Sequence, residues 1–202
     1  SFGTFPFAAY NTTVPGCVPG DWIESRGRSV TPDGLVLGSI TDCDTPSVGG
    51  VWRGGTLVTR LSQVPSAGSS NATTLISSTH RWTQATGWQP LPFIPGSVAT
   101  DISANARTIT ANAAIGPSTR AMYTTSDNPT LARNLYDTAL ALGDPQVPGL
   151  TLVSAVAVSA NGQWITGTAV LPSGLRQTYV ASIDRLCDPI DFNNDQVFPD
   201  IQ

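Results

Sequence analysis

The chain has 202 residues, a formal net charge of -4 and only 12% charged residues, with ten arginines and no lysine. The arginines are scattered, so no basic stripe is available to neutralise phosphates, which argues against a nucleic-acid partner. No apolar run is long enough for a membrane-spanning helix. A surface of Ser, Thr, Asn and Gln suits strands and turns and is common in exported proteins.

Residues 1–28 are rich in aromatics and turn formers, among them Phe2, Phe5, Phe7, Tyr10, Pro15 and Gly16. They read as an irregular lead-in. Residues 29–60 hold Val30-Thr31-Pro32-Asp33-Gly34-Leu35-Val36-Leu37-Gly38, a strand, a tight turn and a second strand. Gly49-Gly50 and Gly54-Gly55 read as turns around Val51-Trp52-Arg53. Within residues 61–80, the stretch from Pro65 to Asn71 reads as a polar surface loop.

The same strand–turn–strand phrase returns as Ile102-Ser103-Ala104-Asn105-Ala106-Arg107-Thr108 and as Val158-Ser159-Ala160-Asn161-Gly162-Gln163-Trp164. The spacing between copies is 72 residues, then 56. Between the last two copies, Leu131, Leu135, Ala139 and Leu142 recur at helical spacing. Asp127 or Asn128 can cap, Pro129 stands near the first turn and Gly143 at the end, so a helix is expected over 129–142. Leu150 to Ile183 then reads as alternating strands, with Pro172-Ser173-Gly174 as a turn.

The chemistry-bearing residues are few. His80 is the only histidine, so at most one Ser-His-Asp arrangement could be built, and no Gly-x-Ser-x-Gly elbow is present. Asp21 and Glu24 flank Trp22, a pairing that is found in glycosidases but also at ordinary turns. Three cysteines without a C-x-x-C pair give no zinc or redox signature. Cys17 and Cys43 are the expected disulfide in an oxidising compartment, which leaves Cys187 over. Trp52, Trp82, Trp88 and Trp164 are candidates either for a sugar-stacking platform or for core packing between repeats.

The run Arg81-Trp82-Thr83, Gly87-Trp88, Leu91, Pro95-Gly96, Ala99 and Ile102-Ser103-Ala104-Asn105 resembles the bacterial extracellular HAF-repeat family. So does Leu150-Thr151-Leu152 through Ala157-Val158-Ser159-Ala160-Asn161-Gly162 to Tyr179-Val180-Ala181. The resemblance covers roughly residues 29–183 and implies β-propeller-like repeats, giving three or four blades at the usual blade length. Asp191-Phe192-Asn193-Asn194-Asp195-Gln196-Val197 resembles the first calcium loop of a dockerin-like module. That implies weak Ca²⁺ ligation by Asp191, Asn193, Asp195 and the Val197 carbonyl, although Gln196 stands where the loop wants Gly.

The expected protein is all-β, with propeller-like antiparallel repeats and one short helix, or alternatively a β-sandwich. Its expected divisions are a lead-in over 1–28, a β-repeat domain over 29–186 and an acidic, calcium-loop-like tail over 187–202. The expected role is a secreted, non-catalytic structural or self-assembling component of the extracellular or cell-surface space. A glycan- or protein-binding module with Trp52, Trp82 and Trp88 at the contact face is the alternative, and a hydrolase using His80 the third reading.

Overall fold

The computed structural model describes residues 23–42, 47–116, 118–143 and 147–183. The protein is all-β, with four antiparallel sheets, none closed into a barrel, and one short α-helix among the described residues. The chain divides into two compact units, Ser1–Gln89 and Pro90–Gln202.

The first unit holds two four-stranded meanders. One is built from β1 (Ile23–Val30), β2 (Val36–Asp42), β3 (Val48–Arg53) and β4 (Thr56–Leu61), paired in chain order. The other uses β5 (Ala67–Gly68), β6 (Thr74–Ile76), β7 (His80–Thr83) and β8 (Gly87–Pro90). Leu35, Leu37, Val51 and Leu61 from the first sheet meet Leu75 of the second in one buried cluster. Period-two alternation puts these side chains on one face of each strand.

The second unit repeats the plan. Its first sheet is β9 (Val98–Ile102), β10 (Thr108–Ile115), β11 (Ser118–Thr125) and β12 (Asn128–Asn134). α1 (Leu135–Ala141) follows, and the last sheet is β13 (Thr151–Val158), β14 (Trp164–Val170) and β15 (Arg176–Ser182). Ala121 and Tyr123 of β11 are buried with Leu135, Leu152, Ala155, Ile165 and Ala169. Met122, between them in sequence, is buried on the opposite face with Ala111 and Ala113, and Phe93 packs there. This sheet is therefore covered on both faces. Its small residues allow close approach on each side.

Several expectations need correction. The helix expected over 129–142 begins only at Leu135; its first half is strand β12, in which Pro129 lies and Leu131 is exposed. The cap is Asn134, whose Oδ1 accepts the Tyr136 N–H at 3.0 Å, and not Asp127 or Asn128. β12 pairs with β11, so strand hydrogen bonding overrides the helical spacing of Leu131 and Leu135. Gly143, at φ 75°, does end the helix.

β1 begins at Ile23, so the first sheet starts inside the stretch read as a lead-in. Gly49 and Gly50 are buried in β3 and are not turn residues, whereas Gly54-Gly55 forms the β3–β4 turn. The stretch from Pro65 to Asn71 is also not a loose loop: Pro65, Ala67 and Ser69 are buried.

Candidate functional site

Every sheet opens on a related hairpin between its first and second strands, closed at the fifth residue in the first sheet and at the sixth in the other three. Thr31, Ser69, Ser103 and Ser159 stand at its first position. Each donates its backbone N–H to the carbonyl of the closing residue, Leu35, Thr74, Thr108 and Trp164, at 2.8, 2.9, 3.0 and 2.9 Å. Each hydroxyl oxygen accepts the N–H of that same closing residue, at 3.0 Å in all four. The fourth position is left-handed: Gly34, Ala72, Ala106 and Gly162 have φ of 85°, 51°, 58° and 76°. The Ser69 copy lies in the interval between the first two copies read from sequence. There Ala72 stands in place of Gly and the preceding strand is only two residues long.

The turns are joined in pairs within each unit. Asp33 Oδ1 accepts the N–H of Asn71 at 2.9 Å. In the second unit Asn105 Nδ2 donates to the carbonyl of Asn161 at 2.9 Å, and Thr108 Oγ1 donates to the carbonyl of Gly162 at 2.7 Å. The third residue of one turn thus grips the third residue of the next. Asp33 also faces Arg53 at 3.7 Å. The Thr31 hydroxyl, first, and then the Asn71 N–H hold its carboxyl below the usual range.

A shallow groove of about 390 Å³ lies in the second unit, between its two sheets. Ser118 and Arg120 of β11 contribute to its lining with Thr151, Ser154, Thr168 and Arg176 from the last sheet. The lining residues include two arginines, Arg120 and Arg176, and no aspartate or glutamate. Ser154 is fixed from two sides: its Oγ accepts the Thr168 N–H at 3.1 Å, and its carbonyl accepts the Tyr179 hydroxyl at 2.8 Å. Burial pushes the Tyr179 phenol above its usual range, so it stays a donor.

The last sheet has three strands where the others have four. Among the described residues no strand lies beside the outer edge of β15. β15 is mostly exposed, Val180 by 68%.

The sequence-derived candidates fall as follows. Trp82 and Trp88 pack on the apolar cluster of the first unit. Trp52 is half-buried, its indole lying over Gly50. Trp164 is 41% exposed. His80 sits in β7 with Nδ1 2.9 Å from the Thr79 hydroxyl, and no serine or carboxylate side chain is hydrogen-bonded to its ring among the described residues. Glu24 pairs with Thr41 across β1 and β2. Asp21, Cys17, Cys43 and Cys187, and the calcium-loop residues Asp191, Asn193, Asp195 and Val197, lie outside the described residues. The described part holds no cluster of three His, Cys, Asp or Glu side chains placed for a metal ion.

The groove was missed from sequence because Arg120, Ser154 and Arg176 come from three separated segments. Only strand pairing brings them together. No protein-family model matches the chain, and a search of curated proteins finds no similar sequence.

Proposed function

We propose that this is a non-catalytic, repeat-built structural protein of the extracellular or cell-surface space, and that it assembles through the open edge of β15. The observation that carries this reading is that the last sheet has three strands among the described residues where the other sheets have four. Among the described residues no strand pairs with the outer edge of β15, the place where each of the other sheets carries its fourth strand. A strand from a second copy fills that place by edge-to-edge addition.

A propeller-like arrangement, as in HAF-repeat proteins, is the architecture we favour. Its support is the sheet buried on both faces in the second unit, together with the recurrence of a related hairpin in every sheet. A two-sheet sandwich would leave one face of each sheet to solvent. Weak Ca²⁺ binding by the Asp191–Val197 loop belongs to the same proposal.

The test is the mass of the full chain in solution, by native mass spectrometry, with Ca²⁺ and after chelation. A defined oligomer or polymer is expected, reduced to monomer by Val180→Lys with little change in melting temperature. A monomer at every concentration overturns assembly. If removal of residues 1–22 from that monomer then produces association, the fourth strand comes from the chain itself.

A further inference from the structure

We propose that the groove between the two sheets of the second unit binds an acidic saccharide, one carrying a carboxylate or sulfate group. Arg120 enters from β11 and Arg176 from the start of β15, so the two cations come from different sheets. Neither has a carboxylate partner among the described residues; Arg120 Nη1 reaches only the Thr119 carbonyl, at 3.4 Å. In a chain of net charge -4, two cations lining one concavity without an acid define a local anion site. Guanidinium groups bind planar oxyanions with paired, charge-assisted hydrogen bonds.

The rest of the lining indicates that the anion is attached to a sugar. Ser118, Thr151, Ser154 and Thr168 line the space with hydroxyl-bearing side chains, and the Ser154 oxygen accepts the Thr168 N–H. Hydroxyls that both donate and accept match the ring hydroxyls of a saccharide. Val153 and Val170 add apolar surface for the C–H face of a ring. The volume, about 390 Å³, is in the range that holds a small ligand. Because the groove is shallow, it suits a unit of a longer chain passing over the surface.

The experiment is calorimetric titration of the full chain at low salt. Four probes are used: an oligogalacturonate, a sulfated oligosaccharide, a neutral oligosaccharide of matched length, and inorganic sulfate. One of the two acidic oligosaccharides is expected to bind, which tells carboxylate from sulfate, with the neutral one at least about tenfold weaker. Arg120→Gln and Arg176→Gln should each weaken binding roughly tenfold, the effect of losing one charge-assisted bond. Ser118→Glu, which adds an acid to the groove, should abolish it. Arg133→Gln, a same-charge change on β12 away from the lining, should leave it unchanged.

Thermal melts of each variant establish that it is folded. Absence of binding to both acidic oligosaccharides overturns the proposal. So does inorganic sulfate binding as tightly as either, or an equal loss in Arg133→Gln. Because binding is read on Arg120→Gln in β11, failure here leaves the edge-strand reading standing, and the reverse.

Discussion

Asp101, in β9, accepts the backbone N–H of Val158 through Oδ2 at 2.9 Å, while its Oδ1 accepts the N–H of Ile102 at 2.8 Å. Asn112, in β10, does the same for Ala155 at 2.7 Å. β13 is the first strand of the last sheet, and its register slips twice, between Leu152 and Ser154 and between Ala155 and Ala157. Side chains of the neighbouring sheet therefore satisfy N–H groups that β13 offers on the side away from β14. Two sheets are stitched together by polar side chains at positions where apolar contact alone would leave donors buried and unpaired.

The Asp101 carboxyl is raised by burial, against the two N–H donors that lower it. A carboxyl that ionises less readily folded than unfolded stabilises the fold while protonated. That contribution is complete below the ordinary aspartate range and is lost as pH climbs through the raised value. Subtracting the melting curve of Asp101→Asn from that of the parent chain, pH by pH, should give a difference that shrinks from about pH 4 upward. A flat difference would show that Asp101 does not carry the effect. The variant should also be less stable by about 1–2 kcal/mol, because one N–H loses its acceptor.

Gly38 and Gly167 occupy equivalent places, on the second strand after the hairpin. A Cβ at Gly38 would come within 1.9 Å of the Arg26 carbonyl oxygen, and one at Gly167 within 1.8 Å of the Ser154 carbonyl oxygen. Both obstacles are backbone on a bulged neighbouring strand, so neither can swing aside. Gly38→Ala and Gly167→Ala should each cost about 3 kcal/mol or more in denaturant unfolding. Losses under 1 kcal/mol would mean that the bulges relax.

Ala106 holds φ 58° at the position filled by Gly34 and Gly162 in two sister turns. A left-handed Ala is strained by about 1–2 kcal/mol, and the greater freedom of unfolded glycine offsets part of that. Ala106→Gly should raise stability by about 0.5–1 kcal/mol, read as an increase in melting temperature.

Ser103 is 1% exposed, and its Oγ both accepts from the Thr108 N–H and donates to Asn105 Oδ1. Ser103→Ala leaves a buried N–H and the Asn105 side chain each short of a partner. Its expected cost is about 1–3 kcal/mol. Ser159→Ala, in a more exposed copy of the turn, should cost less. Equal costs would mean that burial does not set the penalty, and negligible costs in both would mean that the hydroxyl is dispensable to the hairpin.

Trp82 and Trp88 lie against the Leu35–Leu75 cluster, so Trp82→Ala should destabilise by about 3 kcal/mol and leave acidic-saccharide binding intact. Among the described tryptophans, acrylamide should quench Trp164 most, since it alone ranks among the exposed large side chains. Loss of binding in folded Trp82→Ala would restore the aromatic platform to consideration.

Sequence by itself determined the class of secondary structure and the hairpin. The Ser/Thr, Asp/Asn and Gly positions of that turn act on their own backbone within a few residues, so their effect is legible locally. Three of the four copies could be read this way, and so could the Pro172-Ser173-Gly174 turn and the end of the helix at Gly143. The Ser69 copy escaped because Ala72 replaces Gly and because Ala67-Gly68 is too short a strand to show alternation. Tertiary structure alone decided that Asn128–Asn134 is strand, since pairing with β11 outweighs its helical spacing. It also decided that Trp82 and Trp88 pack, partly buried, against the first unit's core, and that Arg120 and Arg176 line one groove. Those outcomes depend on register and on sheet-to-sheet packing between residues far apart in the chain, and no local pattern encodes either.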